Sequence, residues 1–411
     1  MVNFKKNSII FLSFIFLFYF YYPGIDIGII YFHNDDQSLF QILSELSGIT
    51  DYLNFIFQAT HYKFRPIANF QYLVEFLLFR DSINFYILYN IFLLLLIVLI
   101  IIKFINIDNY FFTLIISFVV ISSKFFVYSI WNITGSFESL SNIFFLLTIS
   151  HIFSRQKLSF NHFFLILTLL LFTNERYLPF ILLSPFLYFY FGYKYSLILS
   201  LKKSVIPFSI LMILFILPRH YFGIPFFVGS QTDVITSSFD LMRFFSHLKI
   251  SITELLGFSN NPRHLTGFEF PWWISFSEWD QKIKIIYFIQ LVIMLLSLTF
   301  VNFGRKYNHF FIIIILSIII AASITFRVEI RWLTPAFLII ILFIIDYVNN
   351  LDNLTLANNL SKKIFSTIFS YRYYILLIIY FAFNIYYLTH FRSSLYFAGL
   401  LDDVCIRRFY P

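Results

Sequence analysis

Two pairs of charged side chains stand out in an otherwise apolar chain: Asp35 and Asp36 in "YFHNDDQSLF", and Lys63 with Arg65 in "HYKFRPIANF". A carboxylate can take the proton from an acceptor hydroxyl. Two carboxylates this close raise the proton affinity of one of them, which suits a base. Lysine and arginine stabilise phosphate oxygens as negative charge develops on them. The combination suits transfer of a group from a lipid phosphate. Plainer roles exist for both pairs. Asp35 and Asp36 can cap a helix N-terminus, and Lys63 and Arg65 can reach to lipid headgroups.

The elements that must position these pairs are transmembrane helices. Of 411 residues, 60% are hydrophobic and 12% charged, with a mean hydropathy of +0.81. A soluble domain carries about 25% charged residues, so this chain lacks the means to coat itself for water. Its apolar runs are unbroken, as in "NIFLLLLIVLIII", whereas a barrel alternates in short segments. The expected fold is therefore an all-α polytopic membrane protein forming a single integral-membrane domain, 1–411. Spans are expected near 8–22, 84–105, 110–127, 139–154, 161–173, 177–193, 205–221, 285–302, 309–326, 331–348 and 372–390, about eleven transmembrane helices.

The run 161–193 can be read as one long helix or as a hairpin turning at "TNER". With a hairpin and a cytoplasmic N-terminus, every short inner loop is basic, as the positive-inside rule requires. One long helix would put Lys194, Lys202 and Lys203 outside, so the hairpin is expected and the C-terminus falls outside. Lys5 and Lys6 precede an apolar run with no small-residue cleavage site after it, which reads as a retained signal anchor. The single cysteine, Cys405, excludes an internal disulfide framework and a cysteine-based metal site. Basic residues scattered through inner loops are topology signals and imply no nucleic-acid partner.

Two outer segments, 23–83 and 222–284, exceed the roughly 12–15 residues beyond which loops are usually functional or structured. The inner segment 349–371 is polar and reads as a surface helix or cytoplasmic linker. In the first outer loop, Leu39, Leu43 and Leu46 share one helical face, and Gly48 is a natural stop. A second helix opens at Pro66 with Ile67, Phe70, Val74 and Leu77 on one stripe. Both are expected to lie flat at the membrane interface. Asp35 and Asp36 then open the first, while Lys63 and Arg65 sit at the start of the second, where helix N-termini favour anions.

The second outer loop carries Arg263, His264, Trp272, Trp273 and Trp279. The tryptophans could stack on a sugar or a prenyl chain, or simply anchor the loop at the interface. Arg263 and His264 could touch phosphate. Arg327, Glu329 and Arg331 crowd a short outer turn, leaving one cation beyond an ion pair as a further phosphate candidate. A divalent cation could bridge Asp35, Asp36 and a phosphate, but no third ligand is legible and no metal site is assigned.

The order of these motifs resembles the membrane glycosyltransferases of the C-type (GT-C) fold. Protein O-mannosyltransferases, the aminoarabinose transferase of lipid A and relatives of the tetratricopeptide-linked transmembrane mannosyltransferases belong to that group. "NDDQ" after the first span matches the family's acidic pair, and Phe64-Arg65-Pro66-Ile67 its basic-proline element. "TNERYLP", with Glu175 and Arg176, resembles a later outer motif, and "RVEIRWLTP", Arg327 to Pro335, resembles an Arg-to-Pro element opening a late span. The chain departs from the pattern in having one proline where several relatives have two, and "NER" in place of "KE".

The resemblance implies an inverting transferase working at the periplasmic or lumenal face, and a bacterial inner membrane is the expected location. Its donor would be a polyprenyl-phosphate-linked sugar and its acceptor a glycan, a lipid or a protein. It implies Asp35 or Asp36 as the catalytic acid residue and Arg65 beside the donor phosphate. Two other readings stay open: a polymerase or ligase of O-antigen type, leaning on Arg263 and His264, and a lipid-sugar flippase or transporter with no covalent chemistry.

Overall fold

The computed structural model describes residues 2–21, 34–59, 63–80, 82–104, 110–126, 129–130, 133–153, 159–224, 241–255, 306–323, 330–355, 377–379, 381–382 and 384–385. Among them every regular element is a helix and no β-strand occurs. This is what apolar segments require where no water can pair their backbone groups.

The order is α1 (Val2–Tyr21), α2 (Asn34–Glu45), α3 (Ile49–Phe57), α4 (Pro66–Phe79), α5 (Ile83–Ile102) and α6 (Tyr110–Ile121). Then follow α7 (Ser136–Phe153), α8 (Phe160–Thr173), α9 (Leu178–Leu187), α10 (Leu197–Tyr221), α11 (Leu241–Leu255), α12 (Lys306–Ser323) and α13 (Thr334–Thr355). Short 3-10 turns at Glu175–Tyr177 and Ile330–Leu333 open α9 and α13. Among the described residues, three helical segments, Asn84–Ile102, Ser136–Phe153 and Leu197–Tyr221, are long and apolar enough to cross a membrane, and six more are apolar but shorter. The expected spans 285–302 and most of 372–390 lie outside the described residues, as does 356–371 of the inner segment. Before it, α13 continues as helix to Thr355.

One large core joins the bundle. Helix α5 packs against α1, α6 and α7; α7 against α8; α9 against α10 and α12; and α12 against α13. Helix α10 stands at the edge, with only 22% of its apolar window buried. It exposes Ile198, Val205, Ile206 and Leu217, a surface suited to hydrocarbon.

The hairpin at 161–193 forms as expected. Asn174 leaves helical geometry with φ −152 and ψ 100. Beyond it the chain doubles back, so that Phe163 near the start of α8 stacks on Tyr188 just past α9, 4.2 Å between ring centroids. The far end of α9 widens into a π-turn, Tyr188–Gly192. A Cβ on Gly192 would lie 3.3 Å from the Ile152 carbonyl oxygen, so glycine is what allows α7 to approach there.

Among the described residues, the segment 23–83 holds three helices where two were expected, the addition being α3. Leu43 is buried with Phe55 and Leu73, and Leu39 and Leu46 pack on them, so the leucine face of α2 is the contact face. The stripe on α4 is turned the other way. Phe70 and Leu77 are 52% and 43% exposed, while Asn69, Gln71 and Glu75 are buried. Where hydrocarbon surrounds a helix, apolar residues can face outward at no cost, and polar ones turn inward to find partners. Asn69 does so by donating its side-chain amide to the carbonyls of Phe55 and Ile56 at 3.1 and 3.3 Å, tying α4 to the end of α3.

A candidate anion site at one end of the bundle

Helices alternate in direction, so one end of the bundle collects the start of α4, α7, α9 and α13 together with the close of α8 and α10. Charged side chains cluster there. Glu138, in the first turn of α7, is 3% exposed. Its Oε1 accepts from Arg176 Nη1 at 2.8 Å and lies 4.0 Å from Arg331 Nε. Its Oε2 accepts from Asn174 Nδ2 at 2.9 Å. Asn174 is wholly buried, and its Oδ1 accepts from Arg65 Nη2 at 3.4 Å and from the Arg176 backbone N–H at 3.3 Å.

Aromatic faces hold the guanidinium groups in place. Arg65 lies over the Phe137 ring at 5.2 Å and Arg176 over Trp332 at 4.2 Å. Cations so placed gain from the ring quadrupole. Glu175, adjacent to Arg176, pairs with Arg219 at the close of α10. Arg219 in turn sits over Phe215 at 4.5 Å. Thr334 bridges the carbonyls of Phe125 and Arg331 at 3.0 and 2.8 Å, which fixes the turn that presents Arg331 and Trp332.

Lys63 completes the group. Burial holds its amine well below the usual lysine range, Arg65, Arg176 and Arg331 push it further down, and Glu175 partly opposes them. Repulsion of that kind places all four cations within one electrostatic neighbourhood.

A cavity opens beside them, lined by Glu138, Asn174, Arg176, Arg331 and Trp332, with Ala321 and Ala322 of α12 opposite. It leaves about 20 Å³ for the centres of water molecules, room for one or two waters and too little for a sugar ring. Arg65 Nε and Trp332 Nε1 are buried and donate no hydrogen bond among the described residues. Three guanidinium groups around one central carboxylate, a neighbouring lysine amine and unused donors make an environment suited to an anion.

Of the residues expected from sequence, Lys63, Arg65, Glu175, Arg176 and Arg331 converge at this site. Arg263, His264, Trp272, Trp273 and Arg327 lie outside the described residues. Asp35 and Asp36 open α2, and their side chains lie outside the described residues too. The helix they open touches α4 and the turn Ile133–Gly135 just before α7. On α2, Phe40 packs against Phe76 and Tyr86 at 5.6 and 5.5 Å. Phe76 is some three turns along α4 from Arg65, roughly 16 Å at the helical rise per residue.

Glu138, Asn174 and Arg219 were not anticipated. A signal existed for Glu138, an acidic residue at the mouth of a span with no other charge. Nothing in the sequence pairs it with Arg176. Among the described residues no group of His, Cys, Asp and Glu could hold a metal ion. Comparison with known proteins finds no family profile, curated protein or solved structure that matches this chain.

Proposed function

We propose that this chain is a membrane glycosyltransferase that moves a sugar from a polyprenyl-phosphate-linked donor to a hydroxyl of a glycan, lipid or protein acceptor. The observation that carries the reading is the gathering of Lys63, Arg65, Arg176 and Arg331 around buried Glu138 and Asn174 at one end of an apolar helical bundle. A phosphate attached to a lipid reaches such a site from the bilayer edge, with its chain left among exposed apolar side chains.

In the proposed reaction, Asp35 or Asp36 takes the acceptor hydroxyl proton and the oxygen attacks the anomeric carbon. The bond from that carbon to the phosphate oxygen breaks with its electron pair, leaving a polyprenyl phosphate and an inverted glycosidic bond. The phosphate gains a negative charge in this step. Fixed guanidinium groups in a site largely closed to water stabilise that change more than water does. In this proposal the end of the bundle that carries the site faces away from the cytosol, a placement favoured by the basic residues of the expected inner loops.

The test is mass spectrometry of envelope glycans from cells with and without the chain, followed by purified protein with synthetic polyprenyl-phosphate sugars. Loss of one glycan substituent, and its transfer in vitro, supports the proposal. Asp35→Asn and Asp36→Asn should abolish or cripple transfer. Unchanged glycans together with no consumption of any donor would refute it. Sensitivity to Arg263→Ala and His264→Ala, with both aspartate variants active, would favour a polymerase or ligase.

A further inference from the structure

We propose that Glu138 is the positioning residue of the cationic site, holding Arg65, Arg176 and Arg331 together and acting through them. The inference rests on the phosphate reading above and adds a role which that reading leaves open. Each carboxylate oxygen has its own task. One meets Arg176 at 2.8 Å and faces Arg331 at 4.0 Å; the other accepts from Asn174 at 2.9 Å. Through Asn174 Oδ1 the same carboxylate reaches Arg65. The three guanidinium groups come from three separate elements: the start of α4, the turn before α9 and the turn before α13. No covalent or helical link fixes their spacing, and in a buried setting they repel one another. A central carboxylate supplies that link.

Two of the three guanidinium groups line the cavity, and Arg65 stands outside it, joined through Asn174. Glu138, Asn174, Arg176 and Arg331 line it together, and Trp332, 5% exposed, lines it with an indole N–H that donates no hydrogen bond among the described residues. A phosphate oxygen reaching in there would meet donors whose directions Glu138 has set.

A carboxylate that only offset the positive charge would work against an anion, and its neutralisation would tighten anion binding. A positioning carboxylate does the opposite. The discriminating experiment is calorimetric titration of the full-length chain in detergent with farnesyl phosphate and, separately, with inorganic pyrophosphate. Wild type is compared with Glu138→Gln, Glu138→Asp and Arg331→Gln, and each variant's melting temperature is recorded.

Glu138→Gln should bind the isoprenoid phosphate at least about tenfold more weakly, the scale of one charge-assisted hydrogen bond. Glu138→Asp should recover part of that loss. The double variant Glu138→Gln/Arg331→Gln should lose less than the product of the two single losses, because the Arg331 part of Glu138's effect is already gone while its hold on Arg65 and Arg176 remains. Equal or tighter binding by Glu138→Gln overturns the proposal, as does a double variant whose losses multiply. Wild type that binds neither probe overturns this proposal and the transferase reading together. Binding that weakens as stated, in a chain that transfers no sugar, supports Glu138's role and removes the transferase reading alone. Preference for the isoprenoid probe assigns the site to lipid-linked phosphate, and preference for pyrophosphate to a free one; the variants are judged on whichever binds.

Discussion

Replacing Lys63 with methionine tests whether the cations share one buried neighbourhood. Methionine keeps the length and apolar stem of lysine and removes the amine. In the folded chain burial and three guanidinium groups depress the Lys63 pKa below its ordinary value of 10.5. Between the folded and unfolded pKa values the unfolded chain carries a proton that the folded chain lacks. Stability contributed at this site therefore rises with pH across that window, by up to about 1.4 kcal/mol per pH unit. Lys63→Met has no such slope.

At pH 7 the variant should be more stable than wild type, and the difference should shrink as pH climbs from the folded pKa of Lys63 towards 10.5. A change of 1 kcal/mol moves the melting temperature by roughly 2–4 °C in chains of 150–250 residues, and by less in longer ones. For this chain the gap should close by on the order of 2 °C per pH unit. The assay is thermal denaturation in detergent at half-unit steps from pH 6.5 to 9.5, wild type against variant, so that groups common to both cancel. A gap that stays constant over that range, or widens, would falsify the placement of Lys63 among Arg65, Arg176 and Arg331. Anion binding gives the companion readout. A bound phosphate restores the Lys63 proton, so wild-type affinity should fall as pH rises through the folded pKa, and Lys63→Met should lose that dependence.

Three further outcomes are expected. Arg65→Ala should lower transfer by about 100-fold or more, the size of one lost donor to developing charge, and Arg65→Lys should restore little because Asn174 and Phe137 fit a planar guanidinium; steady-state rates with a synthetic donor decide this. Tyr177→Phe removes the hydrogen bond its hydroxyl donates to Asn142 at 3.0 Å between buried groups and should cost about 1–3 kcal/mol, read as a lower melting temperature with the donor KM little changed. Gly192→Ala brings a methyl to 3.3 Å from the Ile152 carbonyl oxygen, at the end of α7 far from Glu138, so it should destabilise the chain by about 1–3 kcal/mol while leaving phosphate affinity intact.

Composition and charge pattern decided the class of this protein before any coordinates. Unbroken apolar runs can only be helices, and the expected charge of the connecting loops favoured a hairpin turning at "TNER" within 161–193, where α8 ends at Asn174. Residue type also marked Lys63, Arg65, Glu175, Arg176 and Arg331, because charges at the ends of apolar spans are costly and rarely idle. Direction and partnership were beyond its reach. Helical spacing on α4 reveals a stripe but not whether that stripe meets protein or hydrocarbon, since both are apolar; packing turned Asn69, Gln71 and Glu75 inward. Likewise Glu138 and Arg176 are neighbours only because α7 and α8 pack side by side and the hairpin returns the chain to the same end of the bundle. Local sequence sets which groups a segment carries. Which charges meet depends on the order in which helices assemble, and that is settled by contacts between residues distant along the chain.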